Sequence, residues 1–517
     1  MKDELFRNMK ELKYEGFQDP FYIAYSIKDV TSYSVVAMMG SILRSTQERN
    51  RTKNVRVLVG DYDFNDESLD NNSFSPPEPN EIELPLDDDY YGIRRSLWVT
   101  TDYIYKSAAR QYKSNLELLE QKKQTISEMP HRSFAKKPAA QIIDRLPAIR
   151  FDQQNLEHYL QDLTAEFGQY PAIEHSSAYV IFTDGYNYFV NSEGTVSVTP
   201  VRRASLHIFA QRKSEEGETL QDQIVHHAFT PDGFPPTEQI RKQIHELCKY
   251  ITSVPLRRFD DEYNGPVLIT GGAVADLFAR TLFSAKDALV ASDLLPDPRG
   301  YRSSDQSSIE TKIGKPVVPV TMTVRSVPLL KEFNGIALLG FYQIDDEGVV
   351  PEKETVVIEK GILRNLLNNR SSIKPSEIAN GHAAGPAVID VAIENGVTND
   401  ALKKMLIEEA KKQGAEHALI FSEGSNGARP AIATRISVAD GKEEILRAPM
   451  LEFIDLKKLK DLVAATKTRT AFNFPFGTEQ MASFIVPEAI LIRDLEVKGG
   501  TTTFFKDEQF ITSPLNK

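Results

Sequence analysis

The run Glu354-Thr355-Val356-Val357-Ile358-Glu359, followed at once by Lys360-Gly361, leaves this chain the fewest local alternatives. Side chains branched at Cβ crowd a helical turn but sit well on a pleated surface, so the run reads as a strand, and Lys-Gly closes it with a tight reversal. The next segment, Ile362 to Ser371, spaces its apolar residues to cover one face of a second strand or a short helix. Ahead of the pair, Ile344-Asp345-Asp346-Glu347-Gly348-Val349 reads as an exposed acidic turn. After it, Asn380-Gly381-His382-Ala383-Ala384-Gly385 reads as a flexible loop. The whole is a hairpin-like unit with an acidic corner.

A chain of 517 residues exceeds a comfortable single core, so at least two domains are expected. In the first half, strand-like runs cover Phe21 to Ile27, Tyr33 to Leu43 and Asn54 to Val59, and Asp66 to Asp89 forms an acidic, proline-marked exposed loop. Helices are expected over Ile93 to Lys123, Gln154 to Phe167 and Ile240 to Ile251. Ala178 to Thr183 and Tyr188 to Asn191, joined through Asp184-Gly185, read as a hairpin. Beyond the third helix the composition shifts to short strands and glycine or proline turns, with helices over Gly272 to Lys286 and Asn399 to Gln413. The fold class is α+β with two domains: a mixed α/β amino-terminal domain over residues 1–255, and a β-rich carboxy-terminal domain over 256–517, divided near Pro255.

With 61 basic against 73 acidic residues the net charge is -12, which argues against nucleic-acid binding as a general property. The single cysteine rules out an intramolecular disulfide. No stretch reaches the length of an apolar membrane span, and Met1-Lys2-Asp3-Glu4 is too polar to open a secretory signal, so the chain as given is expected in the cytoplasm.

The order of an Asp-x-Glu-Gly turn at Asp345 to Gly348, Thr-x-x-Ile-Glu-x-Gly at Thr355 to Gly361, a Leu-rich segment ending in Arg370-Ser371, then Asn380-Gly381-His382, resembles the carboxy-terminal half of the TldD/PmbA family. Gly265 to Leu268 and Ile485 to Val497 extend the resemblance over roughly the second half of the chain, and Asp19 to Tyr25 with Val57 to Tyr62 are similar to its long-form bacterial branch. The family includes zinc-dependent TldD-type peptidases and proteins once labelled modulators of DNA gyrase. The resemblance implies a two-part α+β architecture, assembly as a homodimer or as a heterodimer with a TldD-like paralogue, and peptide or unfolded polypeptide as ligand. Long-form relatives are often exported, so a periplasmic location stays open if a signal peptide has been removed.

In the family's peptidases, His-Glu-x-x-x-His on a helix supplies two zinc ligands and a general base. Against it this chain places Ala279, Arg280 and Ser284. An arginine is permanently cationic, cannot act as a base and repels a divalent cation, so zinc is not expected here and no cofactor is assigned. The helix itself is expected to persist, since Val274, Leu277, Phe278, Thr281, Leu282 and Ala285 share one face and Asp276 stands one turn before Arg280.

Other motifs have plainer readings. His245-Glu246-Leu247-Cys248 lies on a helix whose stripe Ile240, Ile244, Leu247, Cys248 and Ile251 makes the cysteine a core residue. Asp61 to Asp66 mimics a calcium loop but carries Asp66 where glycine belongs and Asn72 where glutamate belongs, so a solvated acidic turn is expected. His226 and His227, taken as helical neighbours, point apart, and Ser371-Ser372-Ile373-Lys374 reads as a polar loop. His382 is either a groove residue or a surface histidine, and Asp276, Asp346, Glu347, Gly381 and His382 are the candidate groove residues. The resulting expectation is a zinc-less peptide-binding or partner subunit in peptide processing, with a hydrolase of relocated site or a structural envelope protein as alternatives.

Overall fold

Pro20–Met38 (β1) and Ser41–Val59 (β2) are 19-residue strands joined through Met39 and Gly40, whose φ angles of 49° and 76° make the left-handed reversal a two-residue hairpin needs. The run Tyr33 to Leu43, expected as one strand, therefore contains the turn. The computed structural model of the chain describes residues 1–69, 83–129, 131–147, 149, 151–213, 219–253, 259, 262–284, 288–291, 309–372, 379–383, 385–422, 432–446, 449–477 and 480–499. The boundary expected near Pro255 lies outside the described residues.

The hairpin belongs to a six-stranded sheet with Gln141–Ile143 (β4), His175–Asn191 (β5), Val196–Lys213 (β6) and Thr219–Ala228 (β7), ordered β2-β1-β5-β6-β4 with β7 also paired to β6. Ser133–Phe134 (β3) stands apart from it. Alternate residues bury one face of the sheet. Ile23, Tyr25, Ile27, Val55, Val57 and Val59 pack beneath helices Lys2–Glu11 (α1) and Tyr90–Lys122 (α2). Ala178, Val180, Phe182, Leu206 and Ile208 pack beneath Gln153–Ala165 (α3) and Thr237–Ser253 (α4). The stripe expected on α4, from Ile240 through Cys248 to Ile251, is buried as read.

Two expectations fail here for one reason, the length of the strands. Asp184-Gly185 is no hairpin turn, because β5 runs straight through it beside β1. Gly185 is needed for close approach: a Cβ there would lie 2.1 Å from the Asp29 carbonyl oxygen. His226 and His227 lie on the strand β7 rather than on a helix, and alternation sends His227 to Ser205 (2.9 Å) and His226 to Gln243 (2.8 Å).

The second half builds two further sheets, of seven and six strands. One takes Tyr263–Thr270 (β8) between His417–Ser422 and Ala489–Gly499, and the other takes Met322–Ser326 between Thr355–Glu359 and Val388–Ile393. Lys360 and Gly361, with φ of 46° and 80°, form the expected turn into Ile362–Leu363. Helix Gly272–Phe283 (α5) is held in the apolar cluster that both sheets share, whereas Asn399–Lys412 (α6) packs Leu402, Leu406 and Ala410 on the outer side, against Leu268, Ala418 and Leu491. The α+β class is as expected.

Replacing Gly185 with alanine should push β5 off β1 and lower stability by about 1–3 kcal/mol, read as a lower midpoint in urea unfolding. An unchanged midpoint would show that the two strands can part at no cost.

Candidate functional site

Arg370 is the largest fully buried side chain, 1% exposed, and it crosses from the second half of the chain into the first. Its guanidinium makes a bidentate pair with Glu193 (2.7 and 2.8 Å) and donates to the Ala135 carbonyl from two nitrogens (2.8 and 2.7 Å). The plane lies 4.0 Å from the Phe134 ring centroid. Arg56 approaches Phe134 at 4.8 Å and reverses the direction of exchange, donating from the first half to Glu347 of the second at 2.5 Å. Glu347 also accepts the Arg370 backbone N–H (2.6 Å), and Ser371–Ser372 pairs antiparallel with β3. A buried arginine is tolerable only when every donor finds a partner, and a planar fork suits that better than a lysine would.

Beside this clamp lies a cleft, floored by the face of the first sheet that the helices leave uncovered. One compartment, of about 500 Å3, is lined by Ser26, Lys28, Thr52, Asn54 and Asn187 of the sheet and by Asp346 and Glu347 opposite. The adjoining compartment, of about 510 Å3, is lined by Leu146, Val201, Phe229, Leu339, Phe341 and Met481 among others. Both volumes are in the range of ligand sites. Of the candidate groove residues, the structure brings Asp346 and Glu347 to the cleft. The exposed acidic corner expected at 345–347 is corrected at Asp345: it is buried, and its carboxylate accepts from the backbone N–H groups of Glu347 (3.0 Å), Val349 (2.8 Å) and Ala383 (3.1 Å). Burial, with Glu347 nearby, pushes that carboxyl up to about 7.

His382 is 1% exposed, which rules out the surface reading, and neither it nor Gly381 lines the cleft. Its Nδ1 faces two acceptors, the Asn380 carbonyl (3.0 Å) and Asn380 Oδ1 (2.9 Å), so Nδ1 carries the proton and Nε2 accepts from the Ser326 hydroxyl (2.7 Å). Burial holds the imidazole down at about 4. Gly381, at φ 80°, packs so closely on Pro351 that a Cβ would lie 2.8 Å from its Cα. The loop expected to be flexible is thus bolted down where it is described. The sequence reading missed Arg370 and Glu193; Arg370 closes a quoted motif, but nothing local marks Glu193 as its partner.

The positions that the resemblance sets against His-Glu-x-x-x-His lie on α5 and just past its end. Ala279 turns its methyl into the core, Arg280 is exposed and donates to Asp276 at 3.0 Å, and Ser284 is exposed just past the helix end. A methyl, an engaged guanidinium and a hydroxyl do not make a zinc donor set. Among the described residues no three His, Cys, Asp or Glu side chains are placed to hold a metal, and no described lining residue of the cleft comes from α5. The calcium-like turn is structural too: Asp61 accepts from Asp63 and Phe64 N–H groups, and Asp66, expected in solvent, is buried and accepts from Val59 N–H at 2.7 Å. Asn72, Ile373 and Lys374 lie outside the described residues.

Residues 262–417, which hold the turn, hairpin and His382 segment, match the family model of the PmbA/TldA metallopeptidase C-terminal domain. That segment carries the likeness to the TldD/PmbA family. Among solved structures, a candidate modulator of a DNA gyrase from Thermotoga maritima superposes with a TM-score of 0.58 at 14% identity, over 96% of this chain and 99% of that one. TldE from Thermococcus kodakarensis gives 0.52 at 12% identity over 93% and 97%. A candidate modulator of DNA gyrase from Bacteroides thetaiotaomicron gives 0.58 at 11% identity over 96% and 97%. At these identities the TldD/PmbA likeness is one of fold, over essentially the whole chain. No curated protein matches by sequence.

Removing one partner of the buried pair, as in Arg370→Met or Glu193→Met, should cost about 3–5 kcal/mol, while the double replacement costs less than either single change; additive losses in urea unfolding would deny that the two act as a pair. His382 has its folded value, about 4, below its ordinary 6.5, so its contribution is complete above pH 6.5 and is lost as pH falls toward 4. His382→Asn should therefore lose less stability than the native chain over that window, by up to about 3 kcal/mol. Equal pH slopes would remove His382 from acid sensitivity.

Proposed function

We propose that this TldD/PmbA-family chain does not carry out the family's zinc chemistry and serves as a peptide-binding or partner subunit in peptide processing. The observation that carries the reading is α5: the helix is kept by burial, yet Ala279, Arg280 and Ser284 offer neither ligands nor a base. The open cleft beside the Arg370 clamp supplies a place for a ligand. Because its floor is the face of the first sheet rather than an edge, an occupant would be held by side chains, and strand addition, which needs an unpaired edge, is disfavoured. Assembly as a homodimer, or as a heterodimer with a TldD-like paralogue, belongs to the same proposal; one fold neighbour is a TldE.

A hydrolase built on relocated acids gains less support, since Asp345 spends its oxygens on three backbone N–H groups and His382 spends both nitrogens on Asn380 and Ser326. The name of gyrase modulator carried by two fold neighbours gains none from a net charge of -12.

Elemental analysis of the purified chain after dialysis against metal-free buffer should find zinc well below one equivalent, and calorimetric titration should find peptide binding by the chain alone or with a TldD-like partner. Stoichiometric zinc, or no peptide bound under either condition, overturns the reading.

A further inference from the structure

The two compartments of the cleft share Asn187, Val201, Asp346 and Gln480, so they form one continuous groove. Its floor crosses the sheet from β2 (Thr52, Asn54) through β1, β5 and β6 to Phe229, just past the end of β7. Five neighbouring strands about 4.8 Å apart give a floor of about 19 Å, which an extended peptide spans with several residues at about 3.3 Å each. That is longer than a compact small molecule requires.

The halves differ in chemistry. The first is polar: the Ser26 hydroxyl donates to Asn187 Oδ1 at 2.9 Å on the floor, Thr52 and Asn54 can meet a peptide's own N–H and C=O, and Lys28, Lys53, Arg56, Asp346 and Glu347 add charge of both signs. The second is walled by Leu146, Val201, Phe229, Leu339, Phe341 and Met481, with Lys331 4.9 Å over the Phe341 ring. Phe229 is 37% exposed and belongs to none of the described apolar clusters, so its ring is not spent on the protein's own core.

We propose that the groove selects peptides by one apolar side chain seated in the second compartment, while the polar compartment holds the neighbouring backbone. This inference rests on the peptide-binding reading above and adds a specificity to it. Burying a leucine side chain there in place of a serine is worth about a tenfold difference in affinity.

The test uses two capped, fluorescein-labelled octapeptides of glycine and serine, one with leucine and one with serine at its centre, titrated against the full chain by fluorescence anisotropy. The leucine peptide should bind about tenfold more tightly, and in Phe229→Ala the preference should fall below about twofold. Phe229→Ala removes a surface ring, and an unchanged melting temperature will show that the fold is kept; Phe341→Ala is the second variant. Equal binding of both peptides by the native chain, or a preference that survives both substitutions, overturns the apolar seat and leaves peptide binding standing. Binding of neither peptide overturns the peptide reading and the seat with it.

Discussion

Everything that resembles a site in this chain depends on how the first sheet is held against the second half, and that contact is governed by a buried charge. Arg370 brings a full positive charge out of water, a cost of several kcal/mol that only a complete set of partners can offset. Glu193, the Ala135 carbonyl and the Phe134 face supply them. Every one of those partners comes from the other half of the chain, so the arginine is satisfied only when the halves are in register. Arg56 and Glu347 repeat the exchange in the opposite sense, and both guanidinium groups lie against the Phe134 ring. Two crossed pairs fix rotation as well as distance, which a single apolar contact would not do.

The cleft is a by-product of that registry. Helices α1 to α4 cover one face of the first sheet; on the other face Tyr22, Ala24 and Phe189 are buried near the clamp, while Ser26, Lys28 and Asn187 beyond them remain open. Residues 345–349 form the opposing lip, and they are stiff because Asp345 collects three N–H groups into one carboxylate. A groove held by such a lip arrives preformed, and a ligand need not supply the free energy of ordering it.

What was legible in the sequence follows the range of the interactions. The Lys360-Gly361 turn, the buried stripe of α4 and the apolar face of α5 depend on neighbours within a few residues, and periodicity carries them. Strand length was illegible: β1 and β5 run 19 and 17 residues because each is supported from both sides, and Asp184-Gly185 reads as a turn until Asp29 is known to press on it. The acidic corner and His382 were misjudged for the same reason. Polar side chains look solvent-seeking in a sequence, and only a fold can reveal that Asp345 and His382 are buried with their bonds satisfied. Asp346 and Glu347 reached the cleft, but its floor comes from strands of the first half of the chain, beyond any local pattern.

Packing holds α5 in place. Nine of its residues are buried, and the polar strip is narrow, Asp276 and Arg280 with Ser284 just beyond. A helix held in a core that two sheets share, with Phe283 edge-on to Phe484 at 5.9 Å and the Thr281 hydroxyl donating to the Ile454 carbonyl at 2.7 Å, keeps its place by packing and that one buried bond. The scaffold does not need metal ligands there to fold, unlike a small zinc domain whose folding free energy is the metal's. Donors can therefore be replaced by Ala279, Arg280 and Ser284 without unfolding the second half, and the cleft, which takes none of its described walls from α5, is unaffected by their loss. The cleft and the helix are therefore physically separable, and a change of side chains on one need not alter the other.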